Sequence, residues 1–197
     1  MLLLTVSMSA YSAPKTVLVL GDSLSAEYGI ARGSGWVALL DLRLKQKKID
    51  ARVVNASISG ETSSGGRARL PALLAQHQPS VLVVALGAND GLRGLPVAAA
   101  EANLRAMIAL AKKNQAQVLL VGMRMPPNYG RDYGAKFFGM YGALAKQTGT
   151  PLVPFMLEGV ADKPDLFQAD RLHPTAQAHP IILDNILPNL MTLIKHR

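Results

Sequence analysis

Short apolar segments alternate with longer segments of helical periodicity along most of the chain. The apolar runs, rich in Val and Leu, cover residues 16–20, 51–55, 81–86, 117–121 and 151–154. Stretches with apolar residues at helical spacing lie between and after them, at residues 35–47, 65–76, 96–114, 132–148 and 176–194. Short strands that alternate with long helices predict an α/β domain built on a parallel sheet.

Two of the predicted strands carry apolar residues on both faces. Residues 17–20 and 81–84 read Val-Leu-Val-Leu and Val-Leu-Val-Val, with no polar residue in alternate positions. Strands of this kind lie at the centre of a parallel sheet that helices cover on each side. We therefore predict a three-layer α/β/α sandwich around a flavodoxin-like, five-stranded parallel sheet with the strand order 2-1-3-4-5.

Polar, glycine-rich segments follow the first three predicted strands. They cover residues 21–25, 57–62 and 87–91. In a doubly wound sheet of this order, ligands bind outside the carboxyl ends of the strands, at the point between strands 1 and 3 where the order reverses. All three segments border that crevice, so the topology alone predicts a functional site there.

The composition is that of one folded domain, which we place at residues 14–197. The chain has 197 residues, of which 49% are hydrophobic and 17% charged. The absence of cysteine excludes thiolate nucleophiles, thiolate metal sites and disulfides. Although the net charge is +8, the basic residues are scattered and only 5% of residues are aromatic, so we predict no nucleic-acid partner. No self-complementary apolar surface is visible, and we expect a monomer.

The first thirteen residues resemble the end of a secretory signal peptide. A short apolar run ends in the small residues Ala10, Ser12 and Ala13, which predicts cleavage after Ser12 or Ala13. No Lys or Arg precedes the run, and an uncleaved tail is the alternative interpretation. The run is shorter than the ~20 residues that span a bilayer, and no later segment qualifies. We therefore predict a periplasmic or secreted protein without stable membrane insertion.

Ser23 follows the first buried strand, and an Asp–His pair near the C-terminus supplies a partner for it. A lone Ser after Gly-Asp is more often a helix cap. Asp170 and His173, however, are three residues apart in a predicted turn before the last helix. This spacing lets the carboxylate bind one imidazole nitrogen and leave the other unprotonated, as a general base requires.

Three groups on the predicted loops can stabilise a negatively charged oxygen. Gly60 offers a backbone N–H without a side chain in the way, Asn89 offers a side-chain amide, and Ser23 offers its own backbone N–H. One such donor typically contributes ~3 kcal/mol of transition-state stabilisation. A nucleophile, a base, an orienting carboxylate and oxyanion donors on converging loops indicate acyl transfer.

The same residues resemble a known enzyme family. Four segments are similar, in order, to the four sequence blocks of the SGNH/GDSL hydrolases, at residues 21–24, 60, 87–90 and 170–173. Residues 59–66, 87–94 and 126–130 further resemble the thioesterase-I branch, whose members are exported acyl-CoA thioesterases, lysophospholipases and arylesterases. The resemblance implies a serine hydrolase that acts on small acyl esters or lipids through an acyl-serine intermediate, without a metal or a cofactor.

The resemblance also implies residue roles. Ser23 is expected to be the nucleophile, His173 the base and Asp170 its orienting carboxylate. Ser23, Gly60 and Asn89 are expected to form the oxyanion hole. Further residues are expected to line the substrate site, namely Leu24, Asp22, Leu92, Met125, Pro126 and Tyr129.

One residue departs from the branch, and two other functions remain open. Glu27 stands where a small residue is usual, and a carboxylate near the mouth of the site leaves a preference for anionic acyl-CoA open. The alternatives are a carbohydrate deacetylase on the same scaffold and a non-catalytic, flavodoxin-like anion-binding protein. Scarce aromatic residues leave little surface for stacking sugars, and anion binding alone does not explain the pairing of Asp170 with His173.

Overall fold

The computed structural model describes residues 15–195, so the predicted signal segment at residues 1–13 lies outside the described residues. The strands are β1 Lys15–Gly21, β2 Ala51–Asn55, β3 Val81–Ala85, β4 Gln117–Val121 and β5 Leu152–Val153. The α-helices are α1 Trp36–Gln46, α2 Ser63–His77, α3 Ala88–Leu92, α4 Val97–Lys113, α5 Arg131–Thr148 and α6 His179–Lys195.

All strands are parallel and follow the predicted order 2-1-3-4-5. The central pair is in register from Val17 opposite Val81 to Gly21 opposite Ala85. Both strands therefore end at the same level of the sheet. The predicted α/β architecture and its strand order are confirmed.

Alternate side chains of the central strands pack into two separate hydrophobic cores, one on each face of the sheet. Val17 and Val19 pack with apolar residues of α1 and α6 on one face of the sheet. Leu18 and Leu20 pack with α2, α4 and α5 on the other face. The unbroken apolar runs in β1 and β3 follow from this arrangement, because each strand buries both of its faces.

The structure differs from the sequence prediction at helix boundaries. Residues 88–92, predicted as a loop, form the short helix α3. Helix α2 begins two residues earlier than predicted, at Ser63, where the Thr62 hydroxyl accepts a hydrogen bond from the Gly65 N–H. A 3-10 turn at Ala176–Ala178 precedes α6, so the last α-helix begins at His179. The Thr62 cap accounts for the earlier start of α2, and apolar periodicity does not report such a cap.

The polar segments after β1, β2 and β3 lie together at the carboxyl edge of the sheet. The Ile58 N–H, after β2, donates to the carbonyl of Gly21 at the end of β1. The Asn89 amide, after β3, donates to the carbonyl of Glu61 at 3.0 Å. Within residues 15–195, no helix is long and apolar enough to cross a bilayer.

Candidate active site

Ser23 sits in a tight turn directly after β1. The backbone N–H groups of Ser25 and Ala26 both donate to the carbonyl of Asp22 at 3.0 Å, and the Leu24 N–H donates to the Asp22 carboxylate at 3.0 Å. These bonds reverse the chain within a few residues and leave the Ser23 side chain on the cleft side of the turn.

Ser23, His173 and Asp170 form one continuous chain of hydrogen bonds. The Ser23 Oγ lies 2.9 Å from Nε2 of His173. The Nδ1 of the same ring lies 2.7 Å from Oδ2 of Asp170. The structure therefore brings together residues that are 150 positions apart in the sequence.

The Asp170 carboxylate is fixed within the turn that carries His173. Its Oδ1 accepts hydrogen bonds from the backbone N–H groups of His173, at 3.0 Å, and of Leu172, at 2.9 Å. Arg171 adopts the left-handed conformation, with φ 56°, which folds the turn back on the carboxylate. The two backbone bonds, and then the His173 side chain, lower the pKa of Asp170 from 3.8 to about 2. The group is an anion near neutral pH and can orient the imidazole.

Of the three predicted oxyanion donors, Ser23 and Asn89 line the cleft beside His173, and Gly60 precedes Glu61, whose carbonyl the Asn89 amide contacts. Among the hydrogen bonds of residues 15–195, none uses the backbone N–H of Ser23 or of Gly60. One Asn89 amide N–H is directed to the carbonyl of Glu61, which anchors the side chain beside Gly60. Gly60 has φ 77°, a conformation that disfavours other residues, and its carbonyl accepts from Arg93 at 2.8 Å.

Asp22 is a buried carboxyl next to Ser23. It is 2% exposed, and burial raises its pKa from 3.8 to about 6, while the bond from the Leu24 N–H opposes the shift. Its second oxygen lies 3.4 Å from the Asn89 amide nitrogen. Asp22 borders the cleft, and its contacts join the turn of Ser23 to the side chain of Asn89.

A cleft of about 1040 Å³ opens beside Ser23 and His173. Of the residues predicted to line it, Leu24, Leu92, Met125 and Pro126 do so. Tyr129 does not line it; the hydroxyl of this residue donates to the carbonyl of Leu92 at 3.0 Å and so supports a residue of the wall.

The sequence analysis missed one wall of the cleft. This wall comes from the segment after β5, and it includes Phe155, Leu157, Phe167 and Leu172. The segment also follows the carboxyl end of a parallel strand. The topological rule that placed the first three polar segments at the site would have predicted it if the rule had been applied to the last strand.

Glu27 does not point into the cleft. Its Oε1 accepts hydrogen bonds from the backbone N–H groups of Gly33, at 2.9 Å, and Gly35, at 2.8 Å. The expectation that its carboxylate faces the substrate at the mouth of the site is wrong for this reason. The carboxylate instead fixes the loop that leads into α1.

Comparison with known proteins matches this arrangement to a family. The model of the GDSL-like Lipase/Acylhydrolase family matches residues 19–181, which span the nucleophile turn, the oxyanion segments and the Asp170 turn. The chain belongs to this family. The family match confirms the resemblance predicted from the four sequence blocks.

Curated relatives and a solved structure extend the match over nearly the whole chain. Esterase TesA of Pseudomonas aeruginosa is 50% identical over 189 residues, covering 96% of this chain and 94% of that protein. Thioesterase 1/protease 1/lysophospholipase L1 of Escherichia coli strain K12 is 46% identical over 185 residues, covering 94% and 88%. A crystal structure of TesA superposes with a TM-score of 0.89 at 51% identity, covering 91% of this chain and 99% of that one. Like these relatives, this GDSL-like family member is an ester hydrolase.

Proposed function

We propose that this family member hydrolyses acyl esters of small molecules and lipids through a covalent acyl intermediate on Ser23. The substrates are aryl esters, acyl-CoA thioesters and lysophospholipids. The hydrogen-bonded chain from Ser23 through His173 to Asp170 carries the proposal. Its distances match those that a nucleophile, a general base and an orienting carboxylate require.

Acylation begins when Nε2 of His173 takes the proton of the Ser23 hydroxyl. The Oγ attacks the carbonyl carbon of the ester, and the carbonyl π electrons move to the oxygen. The N–H groups of Ser23 and Gly60 and the Asn89 amide hold the resulting oxyanion. The oxyanion collapses, the bond to the alcohol or thiol breaks, and the imidazolium returns its proton to the leaving group.

Deacylation repeats these steps with water. His173 takes a proton from a water molecule as its oxygen attacks the acyl carbon. Collapse of the second tetrahedral intermediate breaks the bond to Ser23, which regains its proton from the imidazolium. Asp170 remains an anion throughout and stabilises the charged imidazole from its other nitrogen.

The cleft walls support an apolar acyl group as the part of the substrate that is recognised. The lining of the cleft includes aliphatic, aromatic and thioether side chains, among them Leu24, Leu92, Met125 and Phe155. Thioether side chains adapt to chains of different shape. This surface supports acyl chains over polar sugars.

Covalent labelling tests the proposal most directly. A phosphonate or sulfonyl fluoride inhibitor is incubated with the folded protein, and the modified residue is identified by mass spectrometry. We expect modification of Ser23 and loss of esterase activity in proportion. Ser23→Ala should lose about 10⁴-fold or more in turnover, while the exposed Ser64→Ala control retains it. An unlabelled Ser23, or an active Ser23→Ala variant, would contradict the proposal.

A matched substrate panel tests the substrate class. Wild type and Ser23→Ala are compared on p-nitrophenyl esters from two to sixteen carbons, on acyl-CoA and on a lysophospholipid. We expect turnover of chains of six carbons or more. Release of acetate from acetylated sugars, without activity on those longer chains, would favour the carbohydrate deacetylase instead.

We propose further that the mature protein is an exported monomer. Export is supported by the apolar run with small residues at its end in residues 1–13, and the test is N-terminal sequencing of protein from the periplasm or medium. A start at Ala13 or Pro14 is the expected result, and an intact Met1 contradicts it.

Analytical ultracentrifugation tests the proposed monomer. A measured mass of one chain is the expected result, and the mass of a dimer would overturn it.

A further inference from the structure

The aromatic ring of Tyr28 lies against the imidazole of His173. The ring centroids are 4.3 Å apart, and the ring planes are tilted by 39°. Tyr28 belongs to the loop that begins at Ser23, and its backbone N–H donates to the carbonyl of Ser23 at 3.4 Å. The loop of the nucleophile therefore also supplies a surface that the base contacts.

Gln168 joins the same two loops through its side-chain amide. One N–H of the amide donates to the carbonyl of Tyr28 at 2.9 Å, and the other donates to the carbonyl of Pro174 at 3.0 Å. An amide nitrogen has two hydrogens, so both are used. The backbone N–H of Gln168 in addition donates to the carbonyl of His173 at 2.8 Å.

The contact leaves no room beside Gly29. A Cβ built at this position would lie 2.1 Å from Oε1 of Gln168, and the residue has φ 70°. The Gln168 amide therefore packs directly on the backbone next to Tyr28. We call the pair Tyr28 and Gln168 the loop clamp.

Asp170 cannot set the distance between His173 and Ser23. The carboxylate and the imidazole belong to the same turn, and the hydrogen bonds of Asp170 run to Leu172 and His173. These bonds orient the ring within its own loop. The position of that loop relative to Ser23 has to be fixed by contacts between the loops, and the loop clamp supplies them.

We propose that Tyr28 and Gln168 are positioning residues that hold Nε2 of His173 on the Ser23 hydroxyl and then on the leaving group. This inference rests on the function proposed above. A displacement of about 1 Å at a reacting group can lower turnover ~100-fold. A displaced imidazole slows departure of the leaving group most when the departing oxygen has to be protonated.

Two esters with the same acyl group separate this role from a general loss of structure. Ethyl butyrate releases an alkoxide that requires protonation by the imidazolium, whereas p-nitrophenyl butyrate releases a stable phenolate. A misplaced base therefore slows ethyl butyrate more. A loss of folded protein instead reduces both rates by the same factor.

The test measures kcat and KM for Tyr28→Leu, Tyr28→Phe and Gln168→Met, with active sites counted by phosphonate labelling. Two substitutions away from the site serve as controls. Leu42→Ala changes a residue of α1 that is 50% exposed, like Tyr28, and Gln147→Met changes a residue of α5. We expect Tyr28→Leu and Gln168→Met to lower kcat about 10- to 100-fold on ethyl butyrate and severalfold on the nitrophenyl ester. KM should stay within about twofold, and Tyr28→Phe should restore kcat, because the ring makes the contact.

Equal losses on the two esters, an effect on KM alone, unaltered kcat, or a Tyr28→Phe variant as slow as Tyr28→Leu would each overturn the clamp. Failure of the proposed function gives a different result, because Ser23→Ala would then keep the wild-type rate on both esters. An inactive Ser23→Ala variant beside fully active clamp variants overturns only the clamp.

Discussion

The buried carboxylate of Asp90 accepts two hydrogen bonds from Ser63, one from its backbone N–H at 2.7 Å and one from its hydroxyl at 2.6 Å. The Asn103 amide donates to the same hydroxyl at 3.0 Å, so the chain of bonds joins α2, α3 and α4. Ser63 begins the helix that follows the Gly60 segment, and Asp90 follows Asn89. The bond therefore fixes the segments of Gly60 and Asn89, two of the proposed oxyanion donors, relative to each other.

Asp90→Ala should destabilise the fold more than Ser63→Ala. Removal of the carboxylate leaves two buried donors of Ser63 without their acceptor, which costs about 3 kcal/mol, whereas removal of the hydroxyl costs about 1 kcal/mol. Urea unfolding measures both values. The control is Asp132→Ala, whose side chain is 94% exposed and whose loss should change stability by less than about 0.5 kcal/mol. Equal effects of the two buried variants would contradict the account.

Asp170→Asn should be at least as damaging to turnover as Asp170→Ala. The Asn oxygen can keep the bonds from the backbone N–H groups of Leu172 and His173, which directs its NH₂ group to Nδ1. Nδ1 must then accept a hydrogen bond from the NH₂ group, so it carries no proton. The neutral imidazole therefore has its proton on Nε2, the nitrogen that has to be unprotonated to act as the base. We expect a loss of about 10⁴-fold in kcat for Asp170→Asn. A variant that keeps a tenth of wild-type kcat would show that the carboxylate does not select the tautomer.

Two buried groups give the stability of the protein opposite dependences on pH. Burial raises the pKa of Asp22 from 3.8 to about 6, and burial lowers the pKa of His179 from 6.5 to about 4. His179 accepts the backbone N–H of Trp36 on Nδ1 at 3.0 Å, so it is bound in its neutral form. Between pH 6.5 and 4 the unfolded chain takes up a proton on His179 that the folded chain does not. The contribution of His179 to the free energy of unfolding therefore falls as the pH falls. Asp22 behaves oppositely. Its carboxyl keeps a proton up to about pH 6 in the folded chain but loses it near pH 3.8 in the unfolded chain, so its contribution to the free energy of unfolding falls as the pH rises from 3.8 to 6.

Single substitutions should expose each of these contributions. His179→Asn keeps an acceptor for the Trp36 N–H but does not titrate, so its stability relative to wild type should rise by about 2 kcal/mol between pH 7 and 4.5. Asp22→Asn should show the reverse, a relative loss of about 2 kcal/mol over the same interval. Chemical denaturation at each pH provides the measurement. Curves that run parallel to wild type would show that neither group titrates as described.

Glu27→Gln should leave the ratio of acyl-CoA to p-nitrophenyl ester turnover within about twofold of wild type. The amide oxygen of Gln can still accept from the N–H groups of Gly33 and Gly35, and the lost charge does not face the cleft. Glu27→Ala, which removes the acceptor, should instead lower stability by about 1–3 kcal/mol. Steady-state kinetics on both substrates and thermal unfolding give the comparison. A selective gain on acyl-CoA in Glu27→Gln would show that the carboxylate does oppose the anionic substrate.

The sequence determined the layers of the fold and the place of the site. Apolar runs on both faces of residues 17–20 and 81–84 require helices on each side of the sheet, and this local pattern does not depend on distant contacts. Parallel strands end at one edge, so polar segments after β1, β2 and β3 converge there whatever their detailed conformation. Residue type and order along the chain were therefore sufficient to nominate Ser23, Asp170 and His173.

Tertiary structure decided which polar groups meet, because hydrogen bonds of about 3 Å depend on the placement of loops that the sequence pattern does not encode. Glu27 faces Gly33 and Gly35 rather than the cleft, and Tyr129 supports Leu92 rather than the substrate. In the same way, only the folded chain sets Tyr28 against His173. Periodicity reports which face of an element is buried, whereas the contacts between loops arise from the packing of segments far apart in the chain.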